Sequence, residues 1–398
     1  MDPIVAIVLI LGLAKVFGEL LERGGYPPMI GEIAAGILVG PAVLGLVTMN
    51  ETLELFSTIG VIALLFVSGV EMNAKAFAAA RNAAALTAVT GIVVPFVLGI
   101  VGGALLGLSP VEQFFLATVL SITSIGVSVR TLIDLKMLNS MVGNTIVGAA
   151  VVDDIIGVIL LGILSSIALS GQLELAPLAA TLVLAVLFIV FALTAGRRLF
   201  LWAFRTSHRM LTHEMPYVAA IVIALGTAAV ADAVGLHYAI GAFVAGLVLG
   251  PQIRNDRSVF DGLADFAFGF FVTFFFASIG LLFHPDPAVF VSVLVPALIL
   301  LAIAGKTAGG YIGSLPYMRD RLQALTVGFG LSPRGEIALV VAQVSLSAGI
   351  ITQGLYSGVT VMVIATILAA PLLMKWGFAA RKKREEAVKG GRPAAKSQ

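Results

Sequence analysis

Two adjacent carboxylates, Asp153 and Asp154, interrupt the otherwise apolar segment 140–169. An ionisable side chain at bilayer depth costs roughly 2.5 to 3.5 kcal/mol on insertion scales, so it usually faces a cavity, a partner or a transported ion. Successive helix residues point about 100° apart, so the two carboxylates are expected to face different surroundings. One can line a water-filled cavity while the other packs against a neighbouring helix. The pair predicts a functional site inside a membrane.

Lys306, within the apolar segment 302–310, is the expected counter-charge. At 1.5 Å per residue it lies about 15 Å from the cytoplasmic end of its predicted helix, and Asp153 lies about 20 Å from the same end of its own helix. These depths are compatible with a salt bridge. The alternative is a lysine whose long stem carries its charge to the interface.

The segment 121–128 packs four hydroxyls and a glycine into eight residues, among them Thr123 and Ser124. Hydroxyls on apolar helices often bond to carbonyls of their own helix or join neighbouring helices. The functional alternative is an unwound stretch, whose hydroxyls and free carbonyls coordinate a small cation, because hard cations take oxygen ligands.

The segment 330–336 places Pro333 and two glycines beside two charges, Arg334 and Glu336. Proline and glycine in an apolar run predict a break in the helix. If this helix crosses the one containing 121–128 at its break, Arg334 and Glu336 would neutralise the half-helix ends and fix the crossing. A direct role in ion binding is the alternative.

The composition indicates an all-α polytopic membrane protein. The chain has 398 residues, of which 59% are hydrophobic and 12% charged, against about 25% charged in soluble domains. Thirteen apolar stretches are long enough to cross about 30 Å of hydrocarbon. They cover approximately residues 3–22, 29–47, 53–71, 82–107, 111–133, 140–169, 175–204, 214–232, 236–250, 259–283, 287–315, 321–349 and 353–376.

The placement of basic residues tests this count and orients the chain. Lysine and arginine occur in the odd-numbered loops and in the C-terminal segment, whereas the even-numbered loops have none. Cytoplasmic loops carry the basic excess. We therefore expect the N-terminus outside and the C-terminus in the cytoplasm of a prokaryotic-type cell membrane. The first stretch is predicted to be a retained helix, since no cleavable signal sequence precedes it.

Several functional classes are excluded by composition. The net charge of +2 gives no reason to expect a nucleic-acid partner, and the absence of cysteine excludes disulfides and thiolate chemistry. The four histidines show no helical pairing, so no metal site is expected beyond a transported monovalent cation. We expect no cofactor and no additional subunit.

An internal repeat relates two distant parts of the chain. Residues 30–41 recur as residues 240–251, with six of twelve positions identical, including three glycines and a proline. The offset corresponds to seven predicted helices, and an odd displacement places the copies in opposite orientations. The sequence therefore predicts two inverted-topology six-helix repeats, a seventh helix joining them, and crossed discontinuous helices where the halves meet.

These motifs together resemble the monovalent cation:proton antiporter-2 family, in particular its sodium/proton antiporters with an Asp-Asp pair. The resemblance runs from 30–32 through Thr123 and Ser124, Asp153 and Asp154, and Lys306 to 332–336. It implies a homodimer that works by an elevator-like shift. It also implies that Asp154 is the principal ion-binding carboxylate and that Asp153 is the partner of Lys306.

The resemblance also implies a division of the chain into domains. The expected parts are a dimerisation domain (1–81 and 214–286), a transport domain (82–170 and 287–377), a linker helix (171–213) and a basic cytoplasmic tail (378–398).

The function expected from these features is exchange of sodium or lithium for protons, with protons and the cation competing for Asp154 and with Asp153 or Lys306 as a second proton carrier. Two carriers would make the exchange electrogenic. A potassium/proton antiporter of the same family is the nearest alternative. More distant ones are a sodium-coupled organic-anion symporter and an intramembrane aspartyl protease, although the Gly-x-Gly-Asp motif common in such proteases is absent.

Overall fold

The computed structural model describes residues 2–170, 175–283 and 285–390, and these residues form helices without a β-strand. The helices are α1 (Pro3–Arg23), α2 (Pro28–Val39), α3 (Glu51–Glu71), α4 (Ala74–Ala79), α5 (Arg81–Leu105), α6 (Pro110–Ser121), α7 (Ile125–Asp134), α8 (Met141–Ser170), α9 (Leu175–Phe191), α10 (Arg197–Ser207), α11 (Met215–Ala233), α12 (Tyr238–Ile253), α13 (Arg257–Phe266), α14 (Val272–Leu281), α15 (Leu294–Ser314), α16 (Arg321–Leu331), α17 (Glu336–Ser347) and α18 (Gln353–Gly390).

Several helices begin where the sequence supplies a capping side chain. Asp2, Asn50 and Ser109 each accept a hydrogen bond from a backbone N–H in the first turn that follows. Ser109 and Glu112 bond reciprocally in a capping box. These residues set the start of α1, α3 and α6, and thereby the register of the long apolar helices.

The membrane-spanning character predicted from composition is confirmed. In the described part of the chain, ten helical spans are long and apolar enough to cross a membrane. The pair α16 and α17, bent by 44° at its break, makes an eleventh. Two predicted spans, 29–47 and 236–250, correspond to the shorter apolar helices α2 and α12. The count of thirteen therefore stays a prediction.

Four of the predicted spans are interrupted. The two expected breaks occur, at 122–124 between α6 and α7 and at 332–335 between α16 and α17. Two further interruptions are π-helical turns, Ala192–Gly196 between α9 and α10 and Ala267–Phe271 between α13 and α14. A π-helical turn, with its i→i+5 hydrogen bonds, changes which side chains face a neighbour.

The helices pack in two groups. Helices α1 to α3 pack with α11 to α14, and helices α5 to α8 pack with α15 to α18. In the first group, α2 lies along α14 and α12 lies along α3. Gly36 and Gly246 make these approaches possible, since an added Cβ would lie 2.0 Å from the Ala277 carbonyl oxygen and 2.1 Å from that of Phe66. Small residues at such contacts are typical of membrane helices.

Two helices end at residues that differ from the predicted span boundaries. Helix α2 ends at Val39 rather than near 47, because Gly40 is extended before a proline, which disfavours helical geometry in the preceding residue. The last helix runs beyond the predicted span 353–376: α18 continues to Gly390, and Arg381 pairs with Asp320 at 3.5 Å. Residues 391–398 of the predicted tail, and 171–174 of the predicted linker, lie outside the described residues.

The glycine contacts yield a stability prediction. We expect Gly36→Ala to lower the thermal unfolding temperature in detergent, because the methyl group would overlap backbone and force α2 away from α14, at a cost of roughly 1 to 3 kcal/mol. Gly12→Ala in α1 is the matched control, because nothing lies within 4 Å of an added Cβ there. Equal unfolding temperatures for the two variants would contradict this account of the packing.

Candidate ion-binding site

The two breaks meet. The Ser124 N–H donates a hydrogen bond of 2.8 Å to the Pro333 carbonyl. At Gly335 an added Cβ would lie 2.4 Å from the Ser124 hydroxyl oxygen, so only glycine allows this approach. The two breaks predicted from the sequence therefore lie against each other, and this contact is called the crossing.

Arg334 joins the ends of the broken helices. Its buried guanidinium donates to the carbonyls of Leu331 (3.4 Å) and Ser332 (2.7 Å) at the end of α16, and to those of Leu120 (2.7 Å) in α6 and Ala302 (3.0 Å) in α15. Carbonyls at the end of a helix have no partner within it and carry partial negative charge. These contacts support the predicted role of Arg334 in holding the crossing together.

Asp153 and Lys306 form a buried ion pair. The Lys306 Nζ lies 2.5 Å from the Asp153 Oδ2, and both side chains are 0% exposed. The Thr123 hydroxyl donates to the same oxygen at 2.7 Å. The structure thus brings together three of the residues that the sequence singled out, and Lys306 does not extend to the interface.

The hydroxyls of segment 121–128 divide between the two roles left open by the sequence. Ser121 and Ser128 bond to carbonyls, the latter to that of Gly330 in α16 at 2.5 Å, so they serve helix packing. Thr123 bonds to a carboxylate. The Ser124 hydroxyl oxygen is buried and has no protein partner, so it is available to a ligand.

Asp154 faces away from this ion pair, as the angle between successive helix residues requires. It is 1% exposed, and neither of its carboxylate oxygens has a hydrogen-bond partner. The second oxygen of Asp153 is also buried and unpartnered. The crossing therefore carries several oxygen atoms that no protein group satisfies.

Glu336 begins α17, directly after Gly335, which packs against Ser124 at the crossing. Its Oε1 lies 4.0 Å from the Nε2 of His237, at the start of α12, and its Oε2 is buried without a partner. Sequence analysis missed His237, because the contact joins distant parts of the chain and nothing in the local pattern around His237 indicates it.

The comparisons with known proteins agree with this geometry. The profile of a family described as sodium/hydrogen exchanger, transmembrane, matches residues 5–378. The chain belongs to this family. The resemblance noted in the motifs is thereby confirmed, and family membership indicates a transporter rather than an enzyme.

Two bacterial relatives are similar to the chain over nearly their whole length. The chain is 32% identical to a Na(+)/H(+)-K(+) antiporter of Bacillus cereus, GerN, covering 96% of this chain and 98% of the relative. It is 30% identical to a Na(+)/H(+) antiporter of Enterococcus hirae, covering 94% and 98%. The fold is similar to that of the sodium proton antiporter MjNhaP1 from Methanocaldococcus jannaschii, with a TM-score of 0.69 at 19% identity over 95% of this chain and 98% of that one.

The buried ion pair yields a prediction about stability. We expect Lys306→Met to lower the unfolding free energy by roughly 3 to 5 kcal/mol, because it leaves the Asp153 carboxylate buried without a cation. The double variant Lys306→Met/Asp153→Asn removes both charges and should recover much of the loss. Thermal unfolding in detergent measures both, and a double variant no more stable than the single one would contradict the assignment.

Proposed function

We propose that this protein exchanges sodium or lithium for protons across the membrane by alternating access. The observation that carries the proposal is the set of buried, unpartnered oxygens at the helix crossing, on Asp154, Asp153 and Ser124. Buried polar atoms without partners are costly. A small hard cation takes oxygen ligands, so its binding would relieve that cost.

The charges at the crossing support a monovalent cargo. Asp153, Asp154 and Glu336 bring three carboxylates, whereas Lys306 and Arg334 bring two cations. When all five are ionised, one negative charge remains. A proton on Asp154 and a bound monovalent cation compete for this charge, as an antiporter needs. The two cannot occupy the site together, so each face must release one to take the other.

Asp153 and Lys306 are the proposed second proton carrier. Their ion pair touches the crossing through Thr123, next to Ser124, so a cation that attracts Asp153 weakens its hold on Lys306. A proton released from Lys306 would then accompany the proton released from Asp154. Two protons for one cation would make the exchange electrogenic.

The proposed architecture is two inverted repeats in a homodimer that moves by an elevator-like shift. Support comes from the equivalent glycines of the repeat, since Gly36 and Gly246 make matching backbone approaches to α14 and α3. The packing of the helices in two groups supports the proposed division into a dimerisation domain (1–81 and 214–286) and a transport domain (82–170 and 287–377). We place the protein in a prokaryotic cell membrane with its C-terminus in the cytoplasm.

Potassium is the second candidate cargo. The name of the Bacillus cereus relative includes potassium as well as sodium. The Asp153–Asp154 pair favours sodium within the resemblance to the family, and transport measurements on this chain decide between the ions.

The test uses full-length protein in liposomes that enclose a pH dye, challenged in turn with sodium, lithium and potassium under an imposed pH gradient. We expect sodium and lithium to drive proton movement more strongly than potassium. A stronger response to potassium would select the second candidate. A preparation with no response to any of the three ions would reject cation/proton exchange.

The same assay tests the role of Asp154. We expect Asp154→Asn to lower sodium-driven proton movement by about a hundredfold or more, because the principal ligand and proton acceptor is lost. The control is Asp261→Asn, which removes a carboxylate from an exposed position of α13. Full activity of Asp154→Asn beside an active control would exclude Asp154 as the carrier.

A further inference from the structure

Glu336 lies between accessible space and the buried end of the site. Its side chain is 22% exposed, whereas Asp154 is only 1% exposed. Glu336 follows Gly335, which packs against Ser124, and the neighbouring Thr123 bonds to Asp153, the residue before Asp154. In the predicted orientation, α17 is the outer half of its span, so Glu336 lies on the outer side of the crossing. A cation that approaches Asp154 from this side meets the Glu336 carboxylate first.

Neither Arg334 nor Lys306 forms an ion pair with Glu336. Arg334, two residues earlier, directs its guanidinium to four carbonyls, and Lys306 is paired with Asp153. The Oε2 of Glu336 is buried and unpartnered. Glu336 is the first residue of α17, so its carboxylate lies at the positive end of that helix.

His237 approaches Glu336 from the other packing group. Its Nδ1 accepts a hydrogen bond of 3.4 Å from the Ala239 N–H, so the neutral ring carries its proton on Nε2. This Nε2–H is 4.0 Å from the Glu336 Oε1, a separation too long for a hydrogen bond. A shift of about 1 Å would close it, given the usual N–H···O length.

We propose that Glu336 is a further ligand of the transported cation, on the outer approach to Asp154, and that His237 competes with the cation for the same carboxylate. The cation exchanges water for the Glu336 oxygens. Closure of the His237 hydrogen bond then weakens the Glu336–cation contact, and the cation moves on to Asp154. This inference rests on the proposed exchange activity, and it changes the expected role of Glu336 from support of the crossing to binding.

The experiment compares variants of the full chain in the liposome assay over a range of sodium concentrations. We expect Glu336→Gln to raise the half-saturating sodium concentration by about ten- to a hundredfold, the usual effect of losing a metal-site interaction. The maximal rate should stay near that of wild type, and Glu336→Asp should restore part of the affinity.

His237→Leu should have the opposite effect, a lower half-saturating concentration with a lower maximal rate, whereas His237→Gln keeps a donor and should resemble wild type.

Thermal unfolding with and without sodium separates binding from support of the crossing. If Glu336 is a ligand, Glu336→Gln unfolds at the wild-type temperature without sodium and loses much of the stabilisation that sodium gives. The matched control is Glu112→Gln, which removes another acid while keeping a residue able to form the capping box of α6.

Two results would overturn the inference: an unchanged half-saturating concentration in Glu336→Gln, or a loss of maximal rate and of sodium-free stability at unchanged affinity. An unchanged profile in His237→Leu would overturn the competition. Because wild type and Glu112→Gln must both exchange sodium for protons in the same preparations, failure of the inference is distinguishable from failure of the proposed function.

Discussion

The site depends on the satisfaction of backbone groups where two helices break inside the membrane. Hydrocarbon offers these groups no water, so every freed carbonyl must find a protein partner or line a cavity. Arg334 satisfies four carbonyls from three elements with one planar group. The ammonium group of a lysine could not donate to these four carbonyls in their fixed directions at the same time. The crossing is therefore held by a cation whose hydrogen bonds go to carbonyls and not to the carboxylates beside it.

The positions of the two buried cations determine which carboxylates of the crossing have no ion-pair partner. Lys306 is held in the same way, by Asp153 and not by Asp154. The remaining carboxylates are largely buried, with Asp154 at 1% exposure and the Glu336 side chain at 22%, so solvent screens them only in part. The negative charge left at the crossing follows from where the cations are fixed, and in the proposed function it attracts a small cation or a proton.

Much of this arrangement follows from the sequence, and the remainder follows from contacts that the sequence does not display. Pro333 and the glycines around it predict the break because their effects on the backbone are local. The depths of Asp153 and Lys306 predict their pairing because helix rise is constant. In contrast, the His237–Glu336 approach depends on how α12 sits against α17, and the early end of α2 depends on a Gly-Pro pair whose repeat copy, at 250–251, stays helical in α12. The Gly-Pro pair alone therefore does not determine whether the helix ends at that point.

In α8 and in the break before α7, one residue of an adjacent pair takes part in the Asp153–Lys306 ion pair and the other offers an unpartnered oxygen. The geometric reason differs between the two elements. On α8 the helical rotation separates Asp153, which faces Lys306, from Asp154, whose oxygens are free. In the break before α7 the chain is extended, so neighbouring side chains point to opposite sides. Thr123 bonds to the Asp153 carboxylate, and the Ser124 hydroxyl lies against Gly335 without a partner. Each element thus contributes one residue to the structural pair and one to the open site, so movement of either element changes both together. In the proposed function, this shared support would couple protons on the ion pair to a cation at Asp154.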